Sequence, residues 1–169
     1  MRQRSIGVMI GVVGASRADR RAARDAYEVG RLIARRGAAL ICGGLTGVME
    51  EAARGAREEG GLTVGVLPGD DPRHANPYID IPIVTGMGYA RNIIIVRSAR
   101  AIIAIGGSYG TLSEIAYALN LGLPLIGLGT WDIPRIGGSG TRMVMVETPE
   151  EAVEEAMKKI PNPKSQIPT

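Results

Sequence analysis

The stretch AIIAIGGSYGTLSEIA, residues 101–116, places an acidic side chain, Glu114, shortly after a glycine-rich turn. A carboxylate in such a position can act as a general base or stabilise positive charge that develops in a reaction. It can also have a purely structural role, because Thr111 and Glu114 have the spacing of a capping box, Thr-x-x-Glu, at the start of a helix. Thr148 and Glu151 have the same spacing near the end of the chain. The local pattern alone favours the capping role for Glu114.

A second candidate for chemistry, Arg91, lies in the segment TGMGYARN, residues 85–92. The planar guanidinium of Arg binds carboxylate and phosphate groups through two parallel hydrogen bonds. Arg91 directly precedes an almost wholly apolar helix pattern, NIIIVRSA, and a positive charge at a helix N-terminus opposes the helix dipole. The sequence therefore predicts an anionic group close to Arg91. Arg91 and Glu114 are thus the two side chains whose types and positions could support chemistry.

Apolar runs of strand length alternate with amphipathic helix patterns along the chain. This alternation is typical of an α/β fold in which helices cover both faces of a parallel sheet. We therefore expect a Rossmann-like, doubly wound parallel sheet in a single three-layer domain, residues 1–160, followed by a short C-terminal tail, residues 161–169. The predicted strands lie near residues 6–13, 38–42, 62–67, 81–85, 101–105, 124–128 and 142–146, and the predicted helices near residues 18–36, 47–60, 90–99, 111–121 and 149–160.

Small and hydroxyl-bearing residues are concentrated in the turns that follow the predicted strands. In a parallel sheet these turns all lie at the carboxyl edge, where open α/β sheets bind ligands. Helix N-termini at this edge offer free N–H groups and a partial positive charge to an anion. Each Ser or Thr alone fits an ordinary N-cap, but four converging turns favour an anion site. The predicted ligand- and phosphate-binding residues are Gly14, Ser16, Gly43, Gly44, Thr46, Gly106, Gly107, Ser108, Gly110 and Thr111.

The chain lacks the residues that several common types of binding and catalytic site require. The chain has no P-loop motif, and its first turn, GVVGAS, is not the glycine fingerprint of dinucleotide-binding proteins. Cys42 is the only cysteine and His74 the only histidine, which argues against an intrachain disulfide, a Cys/His zinc site and a Ser/His/Asp triad. We therefore expect no metal and no bound cofactor. The single cysteine favours a cytoplasmic location.

Charge and hydropathy argue against a nucleic acid or a membrane as the partner. The formal net charge is +3 and the pI is about 9.3. The basic residues are interspersed with acids along predicted helices, without alternating aromatic residues, so a solvated helix face is the better interpretation. No apolar segment is long enough to cross a membrane. Residues 1–18 resemble a signal peptide, but an amphipathic helix pattern follows directly, so we interpret them as containing the first strand.

Four segments occur in the order found in a known superfamily: CGGLTGVMEEAARGA, PGDDPRHANPYID, TGMGYARN and GGSYGTLSE. Over about residues 5–130 the chain resembles the lysine decarboxylase-like superfamily, which includes cytokinin-activating nucleoside-monophosphate phosphoribohydrolases. The branch with the molybdenum-cofactor carrier proteins is the most similar. The resemblance implies a Rossmann-like fold and a homodimer or higher homo-oligomer. The apolar helix pattern at residues 92–99 also favours a dimer, because such a helix is either deeply buried or part of a subunit interface. The hydrolase pattern P-G-G-x-G-T-x-x-E falls on residues 106–114 and retains Gly110, Thr111 and Glu114.

Departures from the hydrolase pattern leave two functions open. Gly106 and Ser108 replace a Pro and a Gly of the hydrolases, and Asn92 replaces the Lys of their Arg-Lys pair. The resemblance implies either a protein that binds a nucleotide or a phosphorylated pterin cofactor, or a hydrolase. The hydrolase would release the free base and ribose 5-phosphate from a nucleoside 5′-monophosphate. Because the Lys is lost, binding is the favoured function.

In the hydrolase that the resemblance implies, Arg91 would hold the phosphate or the ribose. Glu114 would orient the ribose and either activate water or stabilise the transition state. Glycoside hydrolysis normally uses two carboxylates, and Glu50 and Asp70 are the only further candidates. Decarboxylation of lysine is not expected, because the three lysines lie in or after the last predicted helix and none is placed to hold pyridoxal phosphate.

Overall fold

The structure is a computed structural model, and it describes residues 8–134 and 141–160. The predicted tail, residues 161–169, lies outside the described part of the chain. Within that part, seven strands alternate with five α-helices. The strands are β1 (Met9–Gly14), β2 (Ala39–Cys42), β3 (Thr63–Leu67), β4 (Ile81–Val84), β5 (Ala101–Ile105), β6 (Leu125–Leu128) and β7 (Val144–Val146). The helices are α1 (Arg20–Arg35), α2 (Val48–Glu58), α3 (Asn92–Ser98), α4 (Tyr109–Asn120) and α5 (Pro149–Lys158), with 3₁₀ helices at Pro72–His74 and Gly88–Arg91.

All seven strands are parallel and form one sheet in the order β4-β3-β2-β1-β5-β6-β7. The first strand, β1, is central, and its Ile10 lies opposite both Leu40 of β2 and Ala101 of β5. The chain builds outward from β1 to β4 and then crosses to β5 on the other side. The strand order therefore reverses between β1 and β5, and a crevice forms at the carboxyl ends of strands at such a point. This sheet confirms the predicted Rossmann-like, doubly wound fold.

Helices cover both faces of the sheet and give three layers. One face carries α1, α2 and α5, and the other carries α3 and α4. Because side chains along a strand alternate between the two faces, β5 contributes Ile103 and Ile105 to the first apolar cluster and Ile102 and Ala104 to the second. All five residues of β5 are buried, as is usual for a parallel strand covered on both faces. The packed core thus fixes the strand ends at the carboxyl edge.

The helices α1 and α2 cross in close contact at two glycines. A Cβ on Gly30 would lie 2.0 Å from the carbonyl oxygen of Ala52, and a Cβ on Gly55 would lie 2.0 Å from the carbonyl oxygen of Tyr27. Each helix therefore presents a glycine to the backbone of the other, and only a hydrogen atom fits at either position. The contact fixes the spacing of the two helices and of the loops that precede them.

The outer surface of α1 and α2 carries a network of ion pairs. The guanidinium of Arg31 lies 2.7 Å from the carboxylate of Glu59, and Arg35 reaches the same carboxylate at 2.8 Å. The guanidinium of Arg54 lies 4.4 Å from the centre of the Tyr27 ring. Exposed pairs of this kind contribute little individually to stability. They do show that acids accompany the arginines of these helices, as expected for a solvated helix face.

Replacing Gly30 with Ala should destabilise the protein, because the added methyl group overlaps the backbone of α2 and the two helices must separate. Overpacking of this kind costs about 1–3 kcal/mol, of which the better helix propensity of Ala offsets a part. Unfolding in denaturant measures the difference from the natural protein. The control is Gly69→Ala, since the nearest atom to its added Cβ lies 3.9 Å away. Equal free energies of unfolding for the two variants would contradict the close contact.

Candidate functional site

A pocket of about 570 Å³ opens at the carboxyl ends of the central strands. Its wall is formed by the end of β1 with the following loop, the β2–α2 turn with the start of α2, the 3₁₀ helix before α3, and the first turns of α4. These segments come from both sides of the point where the strand order reverses. Ligands of doubly wound sheets bind at this place, and the pocket is therefore the candidate functional site.

Two buried and oppositely charged side chains, Arg91 and Glu114, meet in this pocket. Nη1 of Arg91 lies 3.8 Å from Oε1 of Glu114, and the two side chains are only 9% and 7% exposed. Arg91 ends the 3₁₀ helix before α3, whereas Glu114 lies in the second turn of α4. Because an unpaired buried charge is costly, each side chain compensates the burial of the other. The carboxylate of Glu114 is the anionic group that the sequence predicts close to Arg91.

The other contacts of Arg91 hold its guanidinium group in place. Nη1 donates to the side-chain oxygen of Asn92, and Nη2 donates to the carbonyl oxygen of Gly43 at 3.3 Å. A Cβ on Gly43 would lie 2.5 Å from Sδ of Met49 and 2.6 Å from Nη2, so a larger residue here would displace side chains that border the pocket. Nε of Arg91 is buried and has no hydrogen-bond partner among the described residues. One N–H group of a buried cation is therefore unpaired beside the pocket.

The side chain of Asn92 links the start of α3 to the first turns of α4. Its amide nitrogen donates to the hydroxyl of Ser113 at 3.1 Å and to the carbonyl of Gly110 at 3.5 Å. The Ser113 hydroxyl donates to the same carbonyl at 2.7 Å. Where the hydrolases have a Lys, this chain thus has a neutral side chain that orients its neighbours. Sequence reasoning missed this role, and the position of Asn92 directly after Arg91 was the one signal that could have indicated it.

Burial changes the protonation of side chains at the pocket. Desolvation raises the pKa of Glu114 from its ordinary 4.5 to about 7, and the charge of Arg91 opposes this only in part. Burial lowers the pKa of Arg91, although an Arg remains charged at neutral pH. Burial also raises the pKa of the Cys42 thiol to about 12, which argues against a thiolate nucleophile. A carboxyl group with a pKa near neutrality, such as that of Glu114, can accept and donate a proton.

The start of α4 lies two residues earlier than the sequence predicts, and this changes the role of Glu114. The N-cap is Ser108, whose N–H donates to the hydroxyl of Thr111 at 3.2 Å. Thr111 is therefore the third residue of the helix and Glu114 the sixth. The predicted capping box of Thr111 and Glu114 is wrong, because Ser108 takes the cap position, whereas Thr148 and Glu151 do form the box at α5. The carboxylate of Glu114 faces the pocket instead.

Six of the ten predicted ligand-binding residues border the pocket, and four do not. The Thr46 hydroxyl donates to the carbonyl of Ser16 at 2.9 Å and so joins two loops. A Cβ on Gly107 would lie 2.6 Å from the ring of Trp131, so this glycine packs against an aromatic side chain. The bordering residues are Gly14, Ser16, Gly43, Ser108, Gly110 and Thr111, and the others are Gly44, Thr46, Gly106 and Gly107. Ligand binding by the bordering residues stays a prediction.

Among the described residues, Glu114 is the one carboxylate that borders the pocket. Glu50 is half-buried on α2 and Asp70 is exposed after β3, and neither reaches the pocket wall. The described ranges contain no group of His, Cys, Asp and Glu side chains that could hold a metal ion, and no helix long and apolar enough to span a membrane. The arrangement can bind an anion at Arg91 and can supply one carboxyl group for proton transfer or charge stabilisation.

Apolar and aromatic side chains complete the pocket wall. Leu45 and Met49 border it from the β2–α2 segment, and Tyr89 and Tyr109 border it from the 3₁₀ helix and from α4. Both tyrosines are almost fully exposed. The sequence did not single out these four residues, because Leu and Met are usual core residues and Tyr occurs both in cores and on surfaces, so their types do not indicate a pocket. The position of the two tyrosines inside the segments that carry Arg91 and Gly110 was the one available signal.

Fold and pocket together define a Rossmann-like α/β protein whose candidate ligand site lies at the switch point of the sheet. The chain belongs to the family described as LDcluster4, the SLOG cluster4 family, which matches residues 7–157. With the relatives below, this match confirms the resemblance to the lysine decarboxylase-like superfamily.

Two relatives are similar in sequence. The chain is 49% identical over 146 residues to an uncharacterized protein of Archaeoglobus fulgidus, and the match covers 86% of this chain and 92% of that protein. It is 33% identical over 106 residues to a probable cytokinin riboside 5′-monophosphate phosphoribohydrolase of Oryza sativa subsp. japonica. That match covers 60% of this chain and 47% of the rice protein, so it spans about half of the plant relative.

Two solved structures of similar fold are molybdenum cofactor proteins. The molybdenum cofactor binding protein from Rippkaea orientalis is 37% identical with a TM-score of 0.84, and the match covers 90% of this chain and 96% of that one. The molybdenum cofactor carrier protein from Chlamydomonas reinhardtii is 33% identical with a TM-score of 0.81, covering 92% and 99%. In each comparison the similarity therefore covers most of this chain and most of the other protein.

Replacing Glu114 with Gln should change how the stability of the protein depends on pH. In the folded protein the carboxyl group of Glu114 has a pKa of about 7 and keeps its proton at pH values well above 4.5. In the unfolded chain its pKa is the ordinary 4.5, so the proton is lost at lower pH. The natural protein therefore loses stability from this group as pH rises from about 4.5 to 7, by about 3 kcal/mol in total at about 1.4 kcal/mol for each pH unit. Glu114→Gln should gain stability relative to the natural protein over the same range.

Denaturant unfolding of both proteins at pH 5 and pH 8 measures this difference. Arg91 stays charged throughout the range. Removing its partner therefore lowers the free energy of unfolding of the variant by the same amount at every pH, and the slope of that free energy against pH is unaffected. Parallel pH profiles for the natural protein and Glu114→Gln would show that Glu114 titrates as an ordinary exposed carboxyl group.

Proposed function

We propose that the pocket binds a phosphorylated small molecule, either a nucleotide or a phosphorylated pterin cofactor. The observation that carries the proposal is the buried guanidinium of Arg91, whose Nε lacks a hydrogen-bond partner among the described residues. An unsatisfied buried donor costs about 1–3 kcal/mol, and more when it is charged. Nε itself is closed off from solvent in this conformation, and a phosphate oxygen in the pocket would compensate the buried charge through charge-assisted hydrogen bonds to the rest of the guanidinium.

The N-terminus of α4 offers a second set of donors at the same pocket. Its first backbone hydrogen bond runs from the N–H of Leu112 to the carbonyl of Ser108 at 2.9 Å. The N–H groups of Tyr109 and Gly110 therefore precede the helical hydrogen-bond ladder, while the N–H of Thr111 is capped by the Ser108 side chain. Backbone N–H groups at a helix N-terminus, together with the helix dipole, stabilise phosphate. In our proposal the phosphate lies between these groups and Arg91.

Two observations support binding without hydrolysis. Glu114 is the one carboxylate at the pocket in the described chain, whereas cleavage of a bond at the sugar carbon normally uses two. Asn92 is engaged with Ser113 and Gly110 at the position where the hydrolases have a Lys. The two structural relatives named for the molybdenum cofactor, which is a phosphorylated pterin, agree with a carrier or binding role.

A phosphoribohydrolase is the second candidate function, and one observation favours it. The pKa of Glu114 is raised to about 7, which suits a group that must exchange a proton at neutral pH. In this function Arg91 would hold the phosphate or ribose, and Glu114 would orient the ribose and activate water. The rice relative is named for this activity on cytokinin riboside 5′-monophosphate.

Replacing Arg91 with Met should weaken the binding of AMP and of ribose 5-phosphate at least tenfold, because the charged donor is removed while the length of the side chain is nearly kept. Isothermal titration calorimetry measures both affinities. The matched control is Arg97→Met, which removes an exposed arginine from α3 and should leave both affinities unchanged. Equal affinities for the Arg91 variant and the natural protein would refute a phosphate site at Arg91.

Product analysis separates the two functions. After incubation with AMP, chromatography shows whether free adenine and ribose 5-phosphate appear. Binding without release supports the carrier or binding protein. Release that disappears in Glu114→Gln establishes the hydrolase. If neither AMP nor ribose 5-phosphate binds, a nucleotide is rejected as the ligand, and a phosphorylated pterin is the remaining compound to titrate.

We further propose that the protein forms a homodimer through the outer face of α4. This helix is apolar on both sides: Ile115 and Ala118 are buried, while Leu112, Tyr117 and Leu121 are 38%, 41% and 36% exposed. A helix that is apolar all round normally has a second surface to cover its outer face. Tyr117 and Leu121 are one helical turn apart, and a second copy of the chain offers the same apolar pair, as is typical of the self-complementary contacts of two-fold dimers.

Replacing Tyr117 with Asp should disrupt this dimer, because the interface would have to bury an unpaired charge. Light scattering coupled to size-exclusion chromatography measures the mass in solution. The control is Leu62→Asp, which puts the same charge at an apolar residue that is 47% exposed directly before β3. A natural protein with the mass of one chain, or a dimer that persists in Tyr117→Asp, would exclude α4 as the interface.

A further inference from the structure

Two tyrosines at the pocket are far more exposed than any other large hydrophobic side chain in the described chain. Tyr89 is 88% exposed and Tyr109 is 92% exposed, whereas the next most exposed, Met87, is at 48%. Both tyrosines border the pocket. Neither hydroxyl forms a hydrogen bond with another described residue, in contrast to the Tyr27 hydroxyl, which donates to Glu58. Folding therefore leaves two large aromatic rings free at the pocket mouth.

The sequence position of each tyrosine ties it to one of the proposed phosphate donors. Tyr109 is the first residue of α4 and precedes Gly110, whose N–H is unpaired within the helix. Tyr89 precedes Arg91 by two residues in the same 3₁₀ helix. The rings thus belong to different elements but flank the same anion site. A ligand held by its phosphate at Arg91 and α4 would bring its remaining atoms near both rings.

The pocket also has more room than a phosphate group needs. Its volume of about 570 Å³ lies within the range of about 300–1,000 Å³ that is typical of pockets for whole small molecules. Leu45 and Met49 give part of the wall an apolar character. Besides the phosphate, the occupant should therefore have a part that prefers apolar and aromatic surroundings.

We infer that Tyr89 and Tyr109 bind the planar heterocyclic ring of the ligand by stacking, and that this contact decides which phosphorylated compounds the protein retains. The inference rests on the proposed phosphate site and adds to it the residues that hold the planar part of the ligand, such as a purine or a pterin. Aromatic side chains prefer offset-stacked contacts with other π-systems, and stacking tolerates different rings because each has a π-face. A phosphorylated sugar without a ring system should bind much more weakly.

The test compares AMP with ribose 5-phosphate, which carries the same phosphate and ribose but no base. Calorimetry should show that the natural protein binds AMP at least tenfold more tightly than ribose 5-phosphate. Tyr89→Leu and Tyr109→Leu should each weaken AMP binding about tenfold and leave ribose 5-phosphate binding unchanged. Tyr89→Phe and Tyr109→Phe keep the ring and should retain the affinity for AMP. Chromatography after each titration confirms that AMP is intact.

The outcomes separate a failure of this inference from a failure of the phosphate site. If ribose 5-phosphate binds and AMP binds no more tightly, the phosphate site stands and the stacking role is rejected. The stacking role is also rejected if the Leu variants keep the affinity for AMP, or if they lose both ligands equally. A change in mass of the Leu variants with an unchanged ratio of the two affinities would assign the tyrosines to a subunit interface. If neither compound binds, the nucleotide is rejected as the ligand, and with it the stacking of a purine on Tyr89 and Tyr109.

Discussion

The burial of Arg91 beside Glu114 is the constraint on which the rest of the site depends. The two oppositely charged side chains are buried at the point where the strand order of the sheet reverses, and their charged groups lie 3.8 Å apart without a direct hydrogen bond. Desolvation outweighs the attraction of Arg91 and raises the pKa of Glu114 to about 7. The pair is therefore only partly compensated, and at neutral pH a part of the molecules carries an uncharged Glu114. An additional anion at Arg91 would complete this compensation, which is the electrostatic argument for the phosphate site that we propose.

The topology of the sheet explains why these groups meet although they are distant in sequence. The order β2-β1-β5 brings the β2–α2 turn and the β5–α4 turn to the two sides of β1, and the return crossover delivers the segment before α3 to the same edge. Gly43 lets the Arg91 guanidinium approach the β2–α2 turn, and Asn92 ties that segment to α4. The pocket is thus a product of the crossovers more than of any single motif.

Much of this could be predicted from the sequence, because strand and helix periodicity is a local signal. All seven strands and five helices lie near their predicted positions, and the carboxyl edge follows from the parallel order. The start of α4 could not be predicted locally, since Ser108 and Thr111 are both good N-cap residues and only the tertiary structure selects Ser108. The convergence of Arg91 and Glu114 and the exposure of Tyr89 and Tyr109 depend on contacts between distant segments, which periodicity does not encode.

The close glycine contact between α1 and α2 has a consequence for how the pocket can respond to a ligand. The loops that precede these helices are joined by the Thr46 hydroxyl and by the N–H of Val48, which donates to the Ala15 carbonyl at 3.0 Å. The glycine contact and these two hydrogen bonds hold that side of the pocket in place. On the opposite side, Gly86 and Gly88 have left-handed φ angles and nothing within 4 Å of an added Cβ. There the N–H groups of Gly86 and Gly88 donate to the carbonyls of Gly69 and Pro68 at 2.9 Å, so backbone hydrogen bonds hold this wall as well and the pocket is preformed.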